Sequence, residues 1–211
     1  MSKTTIPARA DEAPYRFPSE EMIDKIVHQC DFPIIQGAAG ERDPATNIHK
    51  FGCNFTCLLA ICQFVSGKLF TQQHIIEVYK RAQNVWFKDW QGNNVQALTY
   101  NCRMNGPDQI AKIALELLGD TKHTVIQYAV KWLRGGGTDW NMDRFTSERL
   151  PGKGYAYFVI VDMLTNSNPT YGGHHFVLFN AIGELIFDPD RNKIGRYKGP
   201  NRLSYYKVNT K

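Results

Sequence analysis

Apolar and polar positions alternate with two different periods along the chain, and the change falls near residue 150. In the first part apolar residues recur every three or four positions. The stretch "EEMIDKIVHQ" puts Met22, Ile23, Ile26 and Val27 at helical spacing, with acids in the first turn where the helix dipole favours them and Ser19 in front as a cap. "TQQHIIEVYKRAQ" and "GPDQIAKIALELLG" predict two more helices with one apolar face each, the second with Pro107 in its first turn and Gly119 at its end. From Cys53 to about Val65 the chain is apolar on every side (Phe55, Leu58, Leu59, Ile61, Phe64). That pattern predicts a central, buried helix, with Gly67 as its stop. "DFPIIQGAAGERDPATNIHKFG" reads as loop, with Gly37, Gly40 and Pro44 as breakers. "KHTVIQYAVKWLRGGG" fits either period and is read as a helix ending at Gly135.

After residue 150 the apolar segments become short, aromatic and β-branched: "YAYFVIVDML", "HHFVLFNAI", "ELIFDPD" and "LSYYKVN", separated by Gly, Pro and Asn clusters. They predict an antiparallel sheet. Helices first and strands afterwards give an α+β order, with the helices layered on one face of the sheet. Residues 1–18, with Pro7, Pro14 and Pro18 and few apolar anchors, read as an extended arm, and residues 19–211 as one domain.

Composition narrows the classes. Of 211 residues 43% are hydrophobic, enough to bury a core without disulfides. Lys plus Arg less Asp plus Glu is 25 − 20 = +5, but the basic residues are scattered, so a solvated basic surface is expected and not a nucleic-acid footprint. The five cysteines are an odd number at irregular spacing, and "MSKTTIPARADEAP" lacks the apolar core of a secretory signal. Reduced thiols in a cytoplasmic protein are the expectation. No apolar run approaches the roughly 20 residues that cross a bilayer. "GKG" at residues 152–154 lacks the preceding strand and the Ser/Thr ending of a phosphate loop.

Two stretches carry candidate chemistry. In "HKFGCNFTCLLAICQF", Cys53 opens the buried helix, where unpaired N–H groups and the dipole favour the thiolate that a nucleophile requires. Gly52 before it permits a tight turn and the close approach of a substrate carbonyl. Cys57 and Cys62 lie deeper in apolar surroundings and are expected to pack. In "GGHHFVLFNAIGELIFDPD", a hairpin loop at "AI" or "AIG" pairs Phe179 near Glu184 and brings His175 opposite, or one step from, Asp188. Opposed Cβ atoms lie about 4.5–5.5 Å apart, within reach of an imidazole–carboxylate bond. Alternation sends His174 to the other face, and a one-residue slip would exchange the two histidines. For the oxyanion the donors are the Cys53 N–H and, upstream, the Gln36 amide in "FPIIQG".

Taken together, "FPIIQG", "FGCNFTCLLAI", "GGHHFVLF" and "IFDPD" resemble the papain-like cysteine peptidases of the bacteriocin-processing, double-glycine type. The resemblance spans about residues 32 to 190. It implies a papain-like architecture in which a helical lobe with a central cysteine-bearing helix packs on an antiparallel sheet. It also implies roles: Cys53 as nucleophile, His175 as general base and acid, Asp188 as orienting group and Gln36 as oxyanion donor. Asn54 stands where that family carries glycine, and the span from Gln36 to Cys53 is longer than the family's. "WLRGGG" is similar to the diglycine ends such enzymes cut, but a helix end running into a loop explains it better.

The expected activity is that of a thiol hydrolase on a peptide or isopeptide amide, with no cofactor and no metal, a peptide or protein as partner, and neither membrane nor specific nucleic acid. Gly52, His174, Trp86 and Trp90 are the candidate substrate-binding residues, although the tryptophans of "NVWFKDWQGNNVQ" would serve equally to fill the core. Rival readings are an acyltransferase or transglutaminase-like enzyme with the same triad, a non-catalytic binding module, and a zinc site built on Cys53, Cys57 and a histidine.

Overall fold

A computed structural model describes residues 19–37, 42–132, 158–165, 173–180, 185–191 and 197–211. The arm at residues 1–18, Gly40 and the "RGGG" and "GKG" stretches lie outside the described residues. The order of elements is α1 (Glu20–Asp24), a 3-10 turn (Gln29–Asp31), α2 (Pro44–Phe51), α3 (Cys53–Ser66), α4 (Gln72–Gln83), β1 (Trp86–Lys88), β2 (Asn94–Gln96), α5 (Pro107–Leu117), β3 (His123–Trp132), β4 (Phe158–Thr165), β5 (His174–Asn180), β6 (Leu185–Phe187) and β7 (Tyr197–Thr210). The α+β class holds. Among the described residues no single helix is long and apolar enough to cross a membrane.

α3 is the axis of the fold. Its residues from Phe55 to Val65 are all buried, and Gly67, in the left-handed conformation at φ 67°, ends it through its N–H to the Gln63 carbonyl (2.9 Å). Each large apolar side chain removed from water here contributes about 1.5–3 kcal/mol. Phe64 stacks on Phe158 of the sheet at 6.1 Å, and the other flank of α3 meets α5, where the Cys62 thiol faces the Ala111 carbonyl.

β3, β7, β4, β5 and β6, in that spatial order, form an antiparallel sheet. Phe158, Ile160, Leu178, Phe187 and Tyr206 face the helical core, whereas Val159, Val161, Met163, Val177, Phe179, Leu203 and Tyr205 form a second buried cluster. Both faces of the central strands are therefore apolar and buried.

Three local expectations are corrected. Residues 123–132 form a strand, not a helix: β-branched Thr124, Val125, Ile126 and Val130 suit a pleated surface, and the segment pairs with β7 from His123↔Thr210 to Trp132↔Arg202. Residues 44–51, expected as loop, are helical. Pro44 starts that helix because the N–H it lacks has no partner in a first turn, and the Asp43 carboxylate caps it by accepting from the Thr46 N–H at 2.7 Å. α1 is capped by Ser19 as expected but stops at Asp24, and the chain then carries Ile26 (1% exposed) into the core.

Between α2 and α3 the axis turns by 96° at Gly52. A Cβ at this residue would lie 2.4 Å from the Ile48 carbonyl oxygen, closer than any real contact. The glycine is required by that approach.

Candidate active site

All five cysteines are free, and their surroundings separate them. Cys57 is fully buried with its thiol directed at the Phe176 carbonyl (3.5 Å), and burial pushes it well up, the neighbouring Cys53 adding to the shift. Burial likewise raises Cys62, Cys102 and the half-buried Cys30. Cys53 is only partly buried and is the first residue of α3. The first turn of that helix closes with the Thr56 N–H on the Gly52 carbonyl (2.7 Å), so the N–H of Cys53 precedes the intrahelical ladder.

His175, near the start of β5, is 6% exposed. Its Nε2 bonds the Asp188 carboxylate (Oδ1) at 2.7 Å, and the Cys53 side chain lies within hydrogen-bonding reach of the ring. Burial alone would lower the imidazole. The bonds to Asp188 and Cys53, and the charges of the same two groups, outweigh it and hold His175 up at about 9. Residues 53, 175 and 188, drawn from a helix start, a strand start and a strand end, thus form one chain of contacts.

The register that achieves this differs in detail from the expected one. Phe179 pairs with Leu185, beside Glu184 as expected, but Leu178 pairs with Phe187, an irregularity of one residue within β5–β6. His175 still meets Asp188. Alternation parts the two histidines as expected: the His174 Nδ1 bonds Asp162 Oδ1 (2.8 Å), and the second oxygen of that carboxylate accepts from Asn201 Nδ2 (3.0 Å).

Asp188 is held from behind by residues that sequence reasoning missed. His28 Nδ1 bonds the Asp188 backbone carbonyl at 2.9 Å, and the ring of His28 lies 4.8 Å from that of Phe187. Because the carbonyl only accepts, Nδ1 carries the hydrogen. Burial lowers the pKa of His28. Its own N–H donates to Asp31 Oδ2 (2.8 Å), and Arg191 reaches the same oxygen at 3.1 Å, tying the 3-10 turn to the end of β6. Asp188 Oδ1 also accepts from the Asp190 N–H at 3.0 Å. Nothing in the spacing of "KIVHQCD" signals this; the only cue is a histidine beside an apolar run.

The remaining candidates lie elsewhere or in other states. Gln36 is exposed, between Ile35, whose N–H bonds Thr46 Oγ1 (2.9 Å), and Gly37 at φ 96°; its amide makes no hydrogen bond among the described residues. Asn54, next to the cysteine, has its carboxamide oxygen enclosed and unpaired. Trp86 and Trp90 are 61% and 91% exposed on the β1–β2 hairpin, so filling the core is excluded for both. Among the described residues no group of three or more His, Cys, Asp and Glu is arranged to hold a metal ion. Comparison of the chain with protein-family models, curated proteins and solved structures gives no match.

Proposed function

We propose that the chain is a cysteine peptidase-like thiol hydrolase of papain-like architecture, acting on a peptide or isopeptide amide. The observation that carries this reading is the His175 ring, bonded on one side to Asp188 and on the other to a partly exposed thiol at a helix start. In the reaction the Cys53 sulfur, its proton already held on the His175 ring, attacks the carbonyl carbon. The N–H at the start of α3 receives the developing oxyanion, and the C–N bond breaks as His175 returns the proton to the leaving amine. Water, activated by the same imidazole, then releases the thioester. Asp188 fixes the ring orientation and favours its protonated form throughout. Five free thiols and a thiol nucleophile suit a reducing compartment such as the cytoplasm.

The test is stoichiometric labelling by low iodoacetamide near pH 6, with the labelled residue mapped. Rapid modification confined to Cys53, abolished in His175→Gln, is the expected result. Equal slow labelling of Cys53 and Cys30 would sink the reading. Product analysis with and without an added amine distinguishes hydrolysis from acyl transfer.

A further inference from the structure

One row of paired positions crosses the sheet beside His175. Trp132 of β3 is opposite Arg202 of β7, Arg202 is opposite Asp162 of β4, and Asp162 is opposite Phe176 of β5. Directly opposed residues share a face, so the four side chains stand together. That face meets the Cys53 end of α3: the Phe176 carbonyl receives the Cys57 thiol one turn into the helix, and Phe176 packs on the helical core.

Within this row Arg202 is placed unusually. Its guanidinium carbon lies 5.2 Å from the Trp132 ring centre and 5.1 Å from that of Phe176. Its Nε is enclosed without a hydrogen-bond partner, and among the described residues the guanidinium makes no ion pair. The facing carboxylate is taken, since Asp162 has one oxygen on His174 and the other on Asn201. A partly buried arginine normally finds a carboxylate to match its fork of donors. Here the two rings flank the cation and, among the described residues, Nε is left without a partner; Arg202 is partly buried and Trp132 is 63% exposed.

We infer that Arg202, held between Trp132 and Phe176 on the strand face that carries His174, is a binding subsite for a carboxylate of the peptide substrate. The assignment to substrate rests on the reading of Cys53 as the acylated nucleophile; the assignment to a carboxylate rests on the guanidinium alone. The carboxylate belongs either to an Asp or Glu side chain or to a free peptide C-terminus, and both present the same pair of acceptor oxygens to the fork.

The full chain carrying Cys53→Ser, which cannot consume a peptide, is titrated with three short peptides while the Trp132 indole N–H and the Arg202 side-chain N–H are followed by NMR. One peptide ends in an aspartyl amide, one is an alanine peptide with a free C-terminus, and one is the same alanine peptide amidated. Saturable shifts of both signals with at least one carboxylate peptide and not with the neutral one are expected, weakened tenfold or more by Arg202→Gln. Arg202→Lys, which keeps the charge without the planar fork, should lose severalfold affinity. The peptide that binds identifies the source of the carboxylate. Shifts with neither acid, or unchanged affinity in Arg202→Gln, would overturn the subsite. Carboxylate binding together with an unreactive Cys53 would overturn the hydrolase and leave Arg202 as a carboxylate site.

Discussion

Two adjacent residues of β5 each hold a carboxylate through one ring nitrogen at nearly the same distance: His174 to Asp162 at 2.8 Å and His175 to Asp188 at 2.7 Å. By pair geometry alone they are equivalent. The His174 side chain is 45% exposed and its carboxylate is shared with Asn201, whereas the His175 side chain is 7% exposed and its ring also meets the Cys53 thiol. What separates them is the third partner and the exclusion of water, which strengthens every charge interaction of the second pair. A histidine–carboxylate pair is a common surface feature; one closed on a thiol at a helix start has the arrangement that the proposed thiol chemistry requires.

The most severe way to break the contrast is to remove the sulfur. Cys53→Ala should abolish electrophile labelling and any amide turnover, while Cys57→Ala should keep the labelled site, as peptide mapping would show. Next, His175→Gln should slow alkylation of Cys53 near pH 6 by ~10²–10⁴, the range for loss of a positioned base. His174→Gln should leave that rate within about threefold, because its ring touches Asp162 and not the thiol.

Asp188→Asn sharpens the same comparison through protonation. The folded value of His175 is raised above its ordinary 6.5, to about 9. The bound proton therefore stabilises the fold fully below about pH 6.5, and this contribution is lost as the pH rises through about 9. An NMR titration of the His175 ring should show a midpoint near 9 in the native chain and a fall towards or below 6.5 in Asp188→Asn, since burial then acts with less opposition. Turnover should decline above about pH 9 in the native chain, where the leaving amine loses its acid. A smaller effect than that of Asp188→Asn belongs to His28→Gln, which loses a bond to the Asp188 backbone and not to the reacting atoms. A decrease of roughly tenfold or less in the alkylation rate is expected, the cost of about one net hydrogen bond, with the His175 midpoint shifted in the same direction as in Asp188→Asn but by less.

The helical half and the later strands were legible because their periods are strong. α3 reads as apolar all round and is buried all round; Gly67 reads as a stop and takes the left-handed conformation. The meeting of His175 with Asp188 could be counted out along the chain to within a step or two; the irregularity at Leu178/Phe179 moves the register further from direct opposition, and the two side chains span the remaining offset. The strand at residues 123–132 is hidden in the sequence because its alternation (Val125 buried, Ile126 exposed) is overlaid by aromatic and amide residues that also suit a helix. Pro44 reads as a breaker along the chain yet starts a helix, a distinction that depends on the Asp43 side chain reaching Thr46. Contacts across long separations left no local trace: His28 meets Asp188 across 160 positions, and Arg202 meets Trp132 and Phe176 only once three strands align. Gln36, chosen because it ends a short apolar run before the stretch that leads to Cys53, is exposed and makes no hydrogen bond among the described residues.

The bend at Gly52 has a consequence for how this chain can vary. Where every other amino acid carries a carbon, position 52 must carry a hydrogen, or the Ile48 carbonyl has to give way and the second of two rigid rods swings about its first residue. That first residue bears the sulfur, so even a methyl group there would re-aim the thiol away from the imidazole. A saturation scan across 52 to 54 should accordingly find positions 52 and 53 both immutable for reactivity, one for its chemistry and its neighbour for having none.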